Sequence, residues 1–115
     1  MIKKNLFKEP FTLEEHCHGG VGTIQFRRIL ETELQSKISF LDYTILAPGT
    51  SIGFHPHPDS EEVYIIVEGT GTMTVDSETA FVSRGDVILN RRGGSHGLIN
   101  DGSEDLKILV FEGRF

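Results

Sequence analysis

Gly49-Thr50-Ser51-Ile52-Gly53-Phe54-His55-Pro56-His57-Pro58-Asp59-Ser60-Glu61-Glu62-Val63-Tyr64-Ile65-Ile66-Val67-Glu68-Gly69 is the stretch whose reading decides the fold. Each of its histidines precedes a proline, Pro56 or Pro58. A residue before proline is pushed out of the helical region into extended backbone. His55 and His57 are therefore biased to be extended, and side chains at i and i+2 of a strand point to one face. On a helix the same pair would sit about 200° apart and could not share an ion.

Working outward, Glu62 to Glu68 is a β-branched and aromatic run of strand length. Pro58-Asp59-Ser60 has turn composition, expected to fold the Glu62 strand back beside the histidine strand. Gly69-Thr70-Gly71 breaks the run, and Thr72 to Val75 reads as the return strand of a hairpin. Farther on, Arg84-Gly85-Asp86 is a turn, Val87-Ile88-Leu89 a short strand and Arg91-Arg92-Gly93-Gly94 a loop. Ser95-His96-Gly97-Leu98-Ile99 follows as a strand. Two hairpins packed face to face would bring His96 opposite Glu62.

His55, His57, Glu62 and His96 thus supply three imidazoles and one carboxylate. Such a mixed nitrogen and oxygen set suits one divalent transition metal (Mn, Fe, Ni, Co, Cu or Zn) rather than Ca or Mg. Four protein ligands on an octahedral ion leave two positions for water and substrate. A closed structural zinc site would usually include cysteine, and the only cysteine, Cys17, lies outside the constellation.

These residues resemble the cupin superfamily. Its first signature, G-x5-H-x-H-x(3,4)-E-x6-G, is similar to Gly49, His55, His57, Glu62 and Gly69 at their spacings. Its second, G-x5-P-x-G-x2-H-x3-N, is similar to Gly85, Gly93, His96 and Asn100, with Arg91 in place of the proline. The resemblance implies an all-β fold, a double-stranded β-helix or jelly-roll barrel in a single cupin domain. It also implies metal-ligand roles for His55, His57, Glu62 and His96. Arg91 lacks the ring that would fix φ in the inter-strand turn, which bears on loop stiffness and not on the ligand at His96.

A length of 115 residues is one domain in size, enough for a barrel core without staples. The charge is −6, from 11 basic and 17 acidic residues. That balance argues against nucleic acid or an anionic membrane as partner, while an anionic small molecule stays compatible because the ion sets the local field. One cysteine forms no intrachain disulfide. The first ten residues carry basic side chains with no apolar run behind them, and no stretch approaches membrane-spanning length. A cytoplasmic location is expected.

Strands are expected at about Thr23–Glu31, Lys37–Ala47, Ser51–His57, Glu62–Glu68, Gly71–Val75, Ala80–Ser83, Val87–Leu89, Gly94–Ile99 and Leu106–Glu112. Short strands at regular spacing with no long helical period indicate a sandwich or barrel. Residues 1–22 read as an N-terminal arm, with a short helical turn starting at Thr12-Leu13-Glu14-Glu15, and residues 23–115 as the barrel domain. If Glu62 points inward, so do Tyr64 and Ile66, while Val63, Ile65 and Val67 form an apolar outer row. A second copy covering that row, in a homodimer, is favoured over cover by Leu6, Phe7, Phe11 and Leu13 of the arm.

Tyr64 shares the face of Glu62 and is a candidate acid–base residue, or else a core tyrosine bonded to backbone. Arg91 and Arg92 are candidates for holding a substrate carboxylate or phosphate, or else belong to a solvated turn. His16-Cys17-His18 is a second HxH; it reads as a polar loop, with closure over the barrel mouth or a second ion as the alternatives. Asn100 is expected to tie down the turn after His96. Two functions remain open. One is an enzyme that oxidises, decarboxylates or isomerises a small polar metabolite bearing carboxylate, hydroxy-keto or sugar oxygens. The other is a metal- or ligand-binding sensor without turnover.

Overall fold

A computed structural model describes residues 1–115. Ten strands carry the chain: β1 (Thr12–Glu15), β2 (Thr23–Leu30), β3 (Ile38–Leu46), β4 (Ser51–Pro56), β5 (Ser60–Glu68), β6 (Thr70–Val75), β7 (Glu78–Ser83), β8 (Val87–Asn90), β9 (Ser95–Ile99) and β10 (Leu106–Arg114). A short 3₁₀ turn at Cys17–Gly19 lies between β1 and β2. Nine strands fall where short runs of strand composition separated by turn residues place them. Thr12-Leu13-Glu14-Glu15 is a strand and not a helical turn, because its backbone pairs in register with Thr23 to Phe26. Residues 1–22 therefore contribute the edge strand of a sheet.

The strands form two sheets, β1-β2-β3-β10-β5-β8 and β4-β9-β6-β7, with every pairing antiparallel. This corrects two local expectations. The Glu62 strand does not lie beside the histidine strand: β4 pairs with β9, and β5 pairs with β10 and β8 in the opposite sheet. Nor do β5 and β6 form a hairpin, since β6 pairs with β7 and β9. Gly69, at φ 87°, turns the chain from one sheet into the other. Turn composition marks a change of direction and is blind to which sheet the next strand joins.

Inward side chains divide the interior into two ends. On β10, Leu106 and Ile108 are fully buried, and Val110 and Glu112 follow in the same phase. On β5 the order runs the other way, from Glu62 through Tyr64 to Ile66. Leu46, Ile66, Leu98, Leu106 and Ile108, all at 1% exposure or less, plug one end. Removing a large aliphatic side chain from such a plug costs about 2–5 kcal/mol. The polar residues His55, Glu62 and His96 sit at the other end, buried among aliphatic walls.

One irregularity sets the phase of the site. Ile52 pairs with Leu98 and His55 with His96, so Gly53-Phe54 together face Gly97. This bulge lets Ile52 and His55, three residues apart, both point inward, while Phe54 is 56% exposed. Asn100, fully buried, donates to the Leu46 and Glu104 carbonyls and accepts from the Gly102 N–H. It ties down the turn after β9, as expected.

Candidate metal centre

His55 and His96 are cross-strand partners on β4 and β9. His57 follows β4, and the loop before β9 holds it: its N–H donates to the Gly94 carbonyl at 2.9 Å and its carbonyl accepts from Gly93 N–H at 2.7 Å. Glu62 reaches in from β5 on the facing sheet. His57 Nε2 lies 3.0 Å from His55 Nε2 and 3.0 Å from His96 Nε2. Glu62 Oε1 is 3.2 Å from His96 Nε2 and 3.5 Å from His57 Nε2. One donor atom from each of the four residues lies within 4.8 Å of the others.

The outer nitrogens fix what faces inward. His55 Nδ1 is 2.6 Å from the Gly53 carbonyl. A carbonyl only accepts, so Nδ1 carries the proton and Nε2 presents a lone pair. His57 Nδ1 faces Ser60 Oγ at 3.1 Å and Glu112 Oε2 at 3.8 Å, and the carboxylate favours a proton on that nitrogen. Lone pairs and a carboxylate oxygen converging in a buried space repel one another unless a cation sits among them. Two donors bound at right angles to one ion at about 2.1 Å would be about 3.0 Å apart. The Nε2 spacings match that requirement, so the residues fit a transition-metal ion.

Burial lowers the His55 pKa to about 4, with further lowering from His18, His96 and His57 and partial opposition from the Gly53 hydrogen bond. Burial, then His18, lowers His96 to about 4. Burial also lowers His57, against the pull of Glu62. The imidazoles are thus held neutral, the form that coordinates a metal. Burial raises Glu62, opposed by His57. Tyr64 is raised well above its ordinary 10 by burial first and then by the negative charge of Glu62.

A cavity of about 330 Å³ opens on His57, Glu62 and Tyr64. Ile24, Phe26, Phe40 and Val110 give it apolar walls, and Glu14, His18, Arg28, Asp42 and Glu112 give it polar ones. Arg28 is forked onto Asp42 at 2.6 and 3.1 Å and lies 4.4 Å from the Phe40 ring centre. Arg91 and Arg92 do not line this cavity: both are exposed, with Arg92 4.7 Å from the Phe115 ring centre and 3.7 Å from Asp59. Glu112, Arg28 and Asp42 border the site without having been singled out from the sequence, and His18, read there as part of a polar loop with closure over the barrel mouth as an alternative, lines the cavity. Strand phase was the available signal for Glu112, two positions after Val110 on β10. The second HxH was the signal for His18.

An antiparallel two-sheet barrel with a His-His-Glu-His group at one end defines a small β-barrel domain able to hold a metal. Residues 42–112 match the family model described as the cupin domain, and the chain belongs to that family. An oxalate-binding protein of Thermotoga maritima is 32% identical over 96 residues, which cover 83% of this chain and 79% of that protein. The crystal structure of a predicted oxalate decarboxylase from Thermotoga maritima aligns with TM-score 0.96 at 25% identity, over 99% of this chain and 100% of that one. A cupin 2 conserved barrel domain protein from Salinispora arenicola aligns with TM-score 0.77 at 19% identity, over 98% and 88% of the two chains, a likeness of fold alone.

Proposed function

We propose that this chain is a metal-dependent cupin holding one divalent transition ion on His55, His57, Glu62 and His96. Its substrate is a small polar metabolite with carboxylate, hydroxy-keto or sugar oxygens, and the reaction class is oxygenation, decarboxylation or isomerisation. The observation that carries this reading is the convergence of imidazole Nε2 atoms and Glu62 Oε1 at the floor of an open cavity. When bound, the ion supplies Lewis-acid or redox chemistry at its open positions. The chain's own residues do the rest. Gly53 and Ser60 orient the imidazoles through their outer nitrogens. Tyr64, buried beside Glu62 in the cavity wall, keeps its proton. Ile24, Phe26 and Phe40 keep bulk water from the floor, which strengthens polar interactions there.

A second reading, binding without turnover, is favoured by the relative described as an oxalate-binding protein. One screen separates the two. The metal-loaded protein is mixed with keto acids, diols and sugar phosphates while product formation and O₂ uptake are followed. Turnover of any class supports the enzyme. Tight binding across the panel with no turnover supports the sensor.

We also place a second copy of the chain over the outer face of the larger sheet. Leu89, Val63, Phe111 and Leu41 lie in register across β8, β5, β10 and β3. Val87, Ile65 and Leu109 form the next row. The N-terminal arm covers only the β3 side, where Phe7 meets Tyr43 edge-on at 5.6 Å. Val87 and Leu89, on the β8 side, are 65% and 43% exposed.

A further inference from the structure

His18 stands at the metal centre without belonging to its ligand set. Its ring stacks on the ring of His55, with centroids 3.5 Å apart and planes 9° from parallel. A metal lies in the plane of the imidazole that coordinates it, because the nitrogen lone pair lies in that plane. An ion held by His55 therefore sits out of the His18 plane by about the stacking distance, well beyond the roughly 2.1 Å of a metal–nitrogen bond. His18 also lines the cavity that opens on His57, Glu62 and Tyr64, the space a ligand of the ion would occupy.

The chain bends to achieve this placement. His18 adopts the left-handed conformation, φ 51° and ψ 37°, and His16 does the same at φ 49° and ψ 48°. A residue with a side chain rarely adopts this conformation, because its Cβ crowds the following carbonyl oxygen. Between them Cys17 is buried at 6% exposure and anchors the turn. The loop lies so close on β4 that a Cβ at Gly53 would come within 2.1 Å of the His18 carbonyl oxygen, and one at Gly20 within 2.1 Å of the Ser51 carbonyl oxygen. Val21 N–H donates to Ser51 Oγ at 2.8 Å, and Ser51 N–H to the Val21 carbonyl at 3.0 Å. Backbone held in sparsely populated regions persists where surrounding structure enforces it, and such sites cluster where function needs them.

We propose that His18 is a ligand-recognition residue: its imidazole donates a hydrogen bond to an anionic oxygen or nitrogen ligand bound at an open position of the ion. This rests on the four-ligand reading above and adds a determinant from outside both cupin signatures. It also gives the second HxH a role, with His16 serving the turn through its ring contact to the Gly20 carbonyl at 3.1 Å.

The test uses the full chain loaded with Co²⁺, whose visible absorption reports changes at the ion, with oxalate and azide as probes. His18→Gly suits the left-handed backbone and removes the donor, while His18→Asn tolerates that backbone and retains a donor. Cobalt affinity is expected to stay within threefold of wild type in both variants. Affinity for oxalate and azide should fall about 10- to 100-fold in His18→Gly, the range of one charge-assisted hydrogen bond, and recover in part in His18→Asn. Unchanged probe affinity in His18→Gly overturns the proposal. So does a loss of cobalt affinity as large as the loss of probe affinity, which would make His18 a ligand or a prop. Wild-type protein that binds cobalt but answers neither probe also overturns it, while leaving the four-ligand centre standing. Wild-type protein that binds no cobalt overturns the parent reading, and this one with it.

Discussion

His55 on β4 and His96 on β9 face each other as cross-strand partners, 41 residues apart in the chain, with ring centroids 4.8 Å apart at 60°. A sheet ladder fixes that pair to within the tolerance of backbone hydrogen bonds. His57 and Glu62 then only have to reach a point that two rigid strands have already defined. The centre is thus a property of sheet pairing more than of loop conformation, and substitutions around it have separable consequences.

Acid should weaken the metal-free protein. His55 and His96 titrate near 4 in the fold, against 6.5 for an ordinary histidine. Above pH 6.5 neither the folded nor the unfolded chain holds these protons, and the residues leave stability unchanged. Between 6.5 and about 4 the unfolded chain binds protons that the fold refuses, so stability falls, and below about 4 the loss is complete. The raised Glu62 works in the opposite sense, since the fold resists its ionisation as pH rises through the carboxylate range. Thermal unfolding of the apo-protein should show Tm falling by on the order of 10 °C from pH 7 to 4.5. The loaded protein should release its ion over the same interval. A flat Tm across it contradicts the burial argument.

Tyr64→Phe should loosen the metal without unfolding the barrel. Its ring is buried at 2% exposure, 4.8 Å from the His96 ring centre, and stays in place, while the hydroxyl in the cavity beside Glu62 is lost. Changes to groups that orient metal ligands typically cost 10- to 100-fold in affinity. Competition against a metal chelator measures this directly. Wild-type affinity in the variant would make Tyr64 a packing residue only.

Asn100→Ala should do the reverse. It removes two donated hydrogen bonds and one accepted bond from a fully buried position, leaving the Leu46 and Glu104 carbonyls without these donors. A loss of about 2–4 kcal/mol by urea unfolding is expected, with unchanged metal stoichiometry at 20 °C. A loss of metal from folded variant would show that the turn after β9 reaches the centre.

Leu89→Lys places a charge in the apolar rows of the larger sheet's outer face. If a second copy covers that face, sedimentation should show a dimer for wild type and a monomer for the variant, with little change in Tm of the dissociated chain. A monomeric wild type at micromolar concentration contradicts the assignment.

Much of the site was legible because the two prolines convert composition into geometry: His55 and His57 had to be extended, and extended residues two apart share a face. Strand phase likewise placed Tyr64 and Ile66 inward with Glu62. Sheet membership was not legible. Pro58-Asp59-Ser60 and Gly69-Thr70-Gly71 have the composition of hairpin turns, yet both carry the chain between sheets, and that choice depends on partners such as β9 and β10 far along the chain. The bulge at Gly53-Phe54 was signalled only by a lone glycine in a strand. His18 was visible only as half of a second HxH, and its place beside His55 was not legible. Its position depends on two left-handed residues and on a close backbone approach at Gly53, and neither has a periodic signature.

The central claim, that four side chains from three strands and a connecting loop hold one ion, is tested most directly by elemental analysis of wild type and His96→Ala prepared side by side. His96 is 1% exposed, with its Nε2 3.0 Å from His57 Nε2 and 3.2 Å from Glu62 Oε1. Wild type should carry one transition-metal ion per chain, and the folded variant should lose nearly all of it after dialysis. A folded His96→Ala protein that keeps a full ion per chain contradicts the assignment.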